Sequence, residues 1–163
     1  MKSMILPARN FKVIALCSLF LVGLVACKGK GDGPESLISD KEKPAWTAPA
    51  AYDMSSSMTA TVKVDLSLTY PKHVKNASEA VAEDDLLAAF VGNVCVGVTD
   101  SVVDGLFFLY ITPPTGDEGD IKLRYYSSIL KNTFISKETF LFQNDEQKGS
   151  YSKPYTPEFI VEE

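Results

Sequence analysis

The sequence predicts an all-β fold, an immunoglobulin-like β-sandwich of about seven strands behind a leader and a tether. Three observations carry this. Apolar residues alternate with mostly polar ones over residues 58–70, the period of a strand with one buried face. Short apolar runs recur from residue 86 to residue 161, punctuated by Gly, Pro, Asn and Asp. No stretch beyond residue 46 shows a sustained 3.6-residue apolar period.

Composition divides the 163 residues into three parts, 1–26, 27–45 and 46–163. The first opens with Lys2, Arg9 and Lys12, has no acid, and continues into a 13-residue apolar run over 13–25. That run is short for a helix crossing ~30 Å of hydrocarbon and suits a signal-peptide core. An ordinary secretory signal or an uncleaved anchor is the plainer alternative. The run closes on Leu24-Val25-Ala26-Cys27, which resembles the bacterial lipobox. The resemblance implies a diacylglycerol thioether on Cys27, cleavage after Ala26 and acylation, as by palmitate, of the new amino terminus. The protein's contact with the membrane would then be the lipid on Cys27, and several acyl chains anchor stably where one does not. Lys28 stands where the enteric sorting rule puts Asp for inner-membrane retention, so the same resemblance implies an outer-membrane lipoprotein, periplasmic or surface-facing.

Without residues 1–26 the chain holds 13 basic groups against 21 acidic ones, a net charge of −8. Such a chain gains nothing from counterion release on phosphate, which argues against nucleic acid as a partner. With three cysteines and one histidine, a thiolate or imidazole metal site of several ligands cannot be built. No cofactor is expected. Cys17 would leave with the signal and Cys27 would carry lipid, which leaves Cys95 without an intramolecular disulfide partner. Cys95 lies in an apolar strand pattern and reads as a buried, inert thiol.

Residues 28–45, rich in Gly, Lys, Asp and Pro, read as a flexible tether with a root-mean-square reach of roughly 20–25 Å. The folded domain is expected to start near Trp46. Its first strand should run from Met58 to Tyr70 and stop at Pro71. A polar loop follows over 72–85, with one helical turn at 78–83. In residues 86–99, Gly92-Asn93 between two apolar runs is a two-residue hairpin signal. That register pairs Val91 with Val94, Phe90 with Cys95, Ala89 with Val96 and Ala88 with Gly97. Both faces of the hairpin are then apolar. Further strands are expected at 106–111, 121–126, 132–135, 139–143 and 157–161.

Three groups of residues are similar to a known family. They are Trp46 with Tyr52-Asp53-Met54 and Met58-Thr59-Ala60; Asp85 through Gly92 with Cys95-Val96-Gly97; and Ile121 through Tyr126, Phe140 to Asp145, Lys148-Gly149-Ser150 and Pro154-Tyr155. Together they resemble a small β-sandwich module that recurs in secreted and surface proteins of the Bacteroidota. The resemblance covers nearly all of 46–163. It implies an envelope or extracellular module and transfers no catalytic residue. The chain departs from it at Val94 and Val96, where the family commonly carries charged residues.

The candidate sites are few. His73, the one histidine, sits in a polar loop beside Lys72, and no G-x-S-x-G elbow exists, so nucleophilic catalysis lacks its base. Carboxylates cluster at Glu83, Asp84 and Asp85 and at Asp117, Glu118 and Asp120. Glycosidases use such pairs, but charge runs in loops are usually solvated, and no enzyme is expected. Asp117, Glu118 and Asp120 are also weak calcium candidates, without the D-x-[DN]-x-[DN]-G loop. Trp46, Tyr52, Tyr126, Tyr151 and Tyr155 could stack on sugar rings. The plainer reading has Trp46 and Tyr52 sealing the sandwich edge and Tyr151 and Tyr155 pinning the last loop. Val94, Val96 and Val98 share one face in the expected register, either buried or a docking patch. Asp100-Ser101-Val102 resembles the O-glycosylation acceptor of this bacterial group, which would place the sugar on Ser101. The function expected is a non-enzymatic, lipid-anchored envelope module that binds a protein or glycan. Its alternatives are a structural accessory subunit docked through the valine face and, remotely, an enzyme.

Overall fold

The computed structural model describes residues 37–48, 56–75, 81–112 and 119–163. The leader, Cys27, Tyr52, Asp117 and Glu118 lie outside them. The described residues form nine strands and no helix, in two sheets with one shared core. The strands are β1 (Met58–Lys63), β2 (Leu86–Val91), β3 (Val94–Thr99), β4 (Val102–Val103), β5 (Leu106–Ile111), β6 (Asp120–Ser127), β7 (Asn132–Leu141), β8 (Gln147–Lys148) and β9 (Phe159–Val161). Sheet A runs β4-β5-β1-β8 and sheet B runs β3-β2-β6-β7-β9. Apart from β1 with β8, neighbouring strands pair antiparallel. The all-β sandwich class is thus the observed one; the strand count exceeds seven because β4 and β8 are only two residues long.

Alternation builds the core. Sheet A turns Met58, Ala60 and Val62 of β1 and Phe107, Leu109 and Ile111 of β5 inward. Sheet B answers with Leu87 and Ala89, with Ile121, Leu123 and Tyr125, and with Phe134 and Phe159. Tyr125 is the aromatic hub, its ring centroid 5.9 Å from Phe107, 6.0 Å from Phe134 and 5.9 Å from Phe159. Each such fully buried ring contributes about 2–3 kcal/mol by removal from water. The Tyr125 hydroxyl needs a partner at this depth, and Asp85 supplies it at 2.5 Å. The same carboxylate accepts from the amides of Ala82 and Ser128 and from the Ser128 hydroxyl. Asp85 is therefore a fully buried pin between loop and sheet, not part of a solvated charge run.

The first strand is shorter than the alternation predicts. It ends at Lys63, and residues 66–69 form a turn. Asp65 Oδ1 takes the Ser67 amide at 3.1 Å and the Ser67 hydroxyl, the local side-chain bonding that competes with a strand ladder. The pattern still buries Val64 and Leu66, but Leu68 is exposed. The strands expected at 132–135 and 139–143 are one strand, β7, with a register shift opposite Lys122 to Arg124. There the buried Ser136 hydroxyl accepts from the Leu123 amide at 3.0 Å and donates to the Glu138 carbonyl at 2.8 Å. A side chain thus supplies what the interrupted ladder cannot. The hairpin of β4 and β5 turns on Asp104-Gly105, both at positive φ. Asp-Gly suits such a two-residue turn, because both positions take positive φ.

The domain also starts earlier than Trp46. Leu37 is 2% exposed and belongs to the core cluster. Its carbonyl accepts from Asn132 Nδ2 at 3.0 Å, and the amides of Ser39 and Lys41 donate to the carbonyls of Leu130 and Lys131. Gly and Lys content suggests a tether, but a Leu, two backbone–backbone bonds and one from the Asn132 side chain dock residues 37–41. Farther on, the Lys41 carbonyl accepts from the Tyr126 hydroxyl, and Trp46 sets its ring edge-on to Phe90 at 5.7 Å. Residues 37–46 thereby strap the outer face of sheet B.

Candidate functional site

The outer face of sheet A carries an open groove. Opposite residues of paired strands share a face, and the register pairs Thr61 with Phe108, Thr59 with Tyr110, and Thr59 with Gln147. Their inward neighbours Ala60, Val62 and Leu109 lie in the core, so these five side chains point away from it. Tyr151, from the loop after β8, completes the lining of a cavity of about 340 Å³. That volume lies at the small-ligand end of the ~300–1,000 Å³ range of binding clefts. Phe108 is 41% exposed and Tyr151 61%. Two aromatic rings therefore face solvent beside a threonine and an exposed amide.

Backbone chemistry presents Tyr151. Residues 147–148 pair with β1, and Tyr155 rejoins β1 as a parallel bridge to Val62. The chain leaves β1 at Gly149, which has φ +73°, and a Cβ there would fall 2.5 Å from the Tyr155 nitrogen and 2.7 Å from the Thr61 carbonyl oxygen. Only glycine fits both demands. Ser150 and Lys153 exchange backbone bonds of 3.0 and 3.2 Å, closing the excursion into a tight turn with Tyr151 on it. The Tyr151 hydroxyl donates to Asp104 Oδ2 at 2.7 Å. The carboxylate holds that phenol above its ordinary range. Asp104 thus fixes Tyr151 from the β4–β5 turn.

The sequence-predicted residues are dispersed. Val94, Val96 and Val98 do not share a face. The hairpin tip matches the expected pairing, Val91 with Val94 and Phe90 with Cys95, but a bulge then pairs Ala89 with Gly97 and Ala88 with Val98. Val96 becomes the extra residue and enters the core at 0% exposure, while Val94 is 51% exposed at the tip. Val98, opposite Ala88, lies on the face away from Leu87 and Ala89. The bulge has a visible cause. The Val96 carbonyl accepts from the Thr112 amide at 2.9 Å, and a Cβ on Gly97 would lie 2.3 Å from the Tyr110 carbonyl oxygen. Strand β3 crosses the end of β5 so closely that a side chain at 97 has no room. The Cys-Val-Gly sequence is thus a corner joining the two sheets, and the patch expected for docking is divided.

Trp46 and Tyr126 lie together on the outer face of sheet B, but both are engaged. Trp46 is half-buried against Phe90, and Tyr126 is buried with its hydroxyl on Lys41. Arg124 packs on the same Phe90 ring, its guanidinium carbon 4.3 Å from the centroid and its Nε 3.0 Å from Glu162. Tyr155 stacks edge-on with Phe140 near Lys148 Nζ, so it packs the last loop as the plainer reading has it. Tyr151 also ties that loop down, through its bond to Asp104, while its ring stands in the groove. Ser101 is exposed between β3 and β4, His73 is exposed in a turn, and Asp120 is exposed at the start of β6. Cys95 is half-buried, and burial raises its thiol above the ordinary range. Among the described residues, no group of three His, Cys, Asp or Glu side chains is placed to hold a metal ion.

Sequence reading named Tyr151 and missed Phe108, Tyr110, Thr59, Gln147 and Asp104. The run Leu-Phe-Phe-Leu-Tyr-Ile is apolar at every position, so period two has nothing to register. Only pairing with the alternating β1 reveals which half faces outward. No family model, no curated protein and no solved structure matches the chain.

Proposed function

We propose that this protein is a non-enzymatic, lipid-anchored envelope module that captures a protein or glycan ligand in the groove of sheet A. The supporting observation is the pairing of exposed Phe108 with exposed Tyr151 over a floor of small polar residues. Solvent-facing rings fixed by a rigid sheet and a clamped turn are pre-organised for binding. The Leu24-Val25-Ala26-Cys27 sequence supports anchoring through lipid on Cys27, at the outer membrane. The accessory-subunit reading loses the continuous valine face it relied on. A photoactivatable side chain in place of Gln147, installed in the full chain in cells, tests the reading. It should yield a discrete adduct, and the same group in place of Val94, on the other sheet, should not. Equal labelling from both positions, or none from Gln147, sinks it.

A further inference from the structure

We infer that the groove of sheet A is a subsite for an uncharged saccharide, held against the rings of Phe108 and Tyr151, hydrogen-bonded to Thr59 and Gln147, and donating hydroxyls to Asp104. The inference rests on the reading that this groove is the binding site, and it names the ligand class.

Chemistry, charge and size each point the same way. One face of a pyranose ring presents aliphatic C–H groups carrying slight positive charge, which matches the negative face of an aromatic ring. Its rim presents hydroxyls that both donate and accept. Thr59 and Gln147, both exposed, offer the same dual capacity beside the rings. A peptide side chain could use the rings, but not the ring-plus-hydroxyl combination along a whole face.

No lysine or arginine lines the groove. The Asp104 carboxylate that holds Tyr151 stands beside that lining, and Lys63, the next outward residue of β1, lies outside it. Phosphorylated, sulfated or uronic ligands meet no countercharge here and are repelled by a chain of net charge −8 beyond residue 26. Neutral sugars pay no such cost. The Asp104 carboxylate has about four acceptor positions and spends one on Tyr151. The rest can take sugar hydroxyls through charge-assisted bonds, stronger than neutral ones.

Size favours a saccharide over a protein. A standard protein interface takes about 20–30 residues a side, whereas this lining is formed by Thr59, Thr61, Phe108, Tyr110, Gln147, Tyr151 and the backbone between them in a cavity of about 340 Å³. That volume suits one or two sugar units of a longer chain lying across the sheet.

The test is native affinity electrophoresis of the full chain in mild detergent. Gels contain neutral polysaccharides (β-glucan, α-glucan, mannan, xylan, arabinogalactan) or anionic alginate. At least one neutral gel should retard the protein and alginate should not. Phe108→Ala and Tyr151→Ala should each weaken the retardation about tenfold. Tyr151→Ala carries the test if Phe108→Ala unfolds, because Tyr151 is the more exposed ring. Retardation by alginate alone, equal retardation of the variants, or no retardation overturns the saccharide assignment. If no gel retards the chain but the Gln147 photoadduct forms and is a protein, the binding reading stands and only the ligand class fails. If neither signal appears, both fail.

Discussion

The hydroxyl of Tyr151 donates to Asp104 Oδ2 across 2.7 Å, joining two turns 47 residues apart. One turn belongs to the β4–β5 hairpin and the other to the excursion between β8 and β9. Neither end of the bond is buried, so its contribution to stability is small. Its effect is on position, because it holds an exposed ring over the face of sheet A.

The bond predicts an alkaline signature. The carboxylate holds the Tyr151 phenol above its ordinary 10.0. A pKa raised on folding gives stability that is full below the unfolded value, about 10 here, and is lost as pH rises through the folded value. Ultraviolet difference titration, with Tyr151→Phe as the blank, isolates this tyrosine. Asp104→Asn should lower its midpoint toward 10.0, and Asn tolerates the positive φ of the site. An unchanged midpoint would dissolve the link.

Asp85 should be among the costliest polar residues to lose. Asp85→Ala leaves the Tyr125 hydroxyl, the Ser128 amide and hydroxyl and the Ala82 amide without their acceptor. About 3–4 kcal/mol of destabilisation is expected in urea unfolding. Tyr125→Phe, which deletes one donor, should cost about 1–2 kcal/mol. Burial and the neighbouring Asp85 carboxylate both raise the Tyr125 pKa far above the phenol range, so it should stay protonated in the folded state at any pH the fold survives.

Leu37 tests where the domain begins. If residues 37–46 were a tether, Leu37→Ala would be neutral. Because its side chain is in the core, the change should cost about 2–4 kcal/mol. Trp46 should move with it. Its fluorescence should redden as the strap loosens from Phe90, while groove ligands should leave it flat because they bind the other sheet.

Val96 and Val94 form a matched pair. Val96→Arg drives a charge into the core beside the sheet corner and should prevent folding. Val94→Arg, at the exposed hairpin tip, should fall within about 0.5 kcal/mol of the parent. Circular dichroism melts of both decide whether the bulge is where the register puts it. Equal tolerance of the two would restore the single valine face.

Much of the sandwich was readable because its signals are local. Alternation over Met58, Ala60 and Val62 marks β1, and Gly92-Asn93 marks a hairpin whose tip pairs as expected. What failed depends on contacts distant in sequence. The bulge at Val96 arises from Thr112 and Tyr110 on the other sheet. The docking of Leu37 depends on Asn132, 95 residues away. Composition cannot distinguish a Gly-Lys tether from one whose last residues dock. The groove was the least legible, since three of its parts, Phe108, Tyr151 and Asp104, meet only when β5, the last loop and the β4–β5 turn come together.

The most direct measurement is the chemical-shift map of the isotope-labelled full chain titrated with neutral oligosaccharides released from the polysaccharide that retards it most. If none retards it, an equimolar mixture of gluco-, manno- and xylo-oligosaccharides serves as the probe. Binding in the groove predicts shifts centred on Thr59, Phe108, Gln147 and Tyr151, with Phe90, Trp46 and Tyr126 unmoved. Shifts centred on sheet B, or a spectrum unchanged at millimolar oligosaccharide, would contradict it.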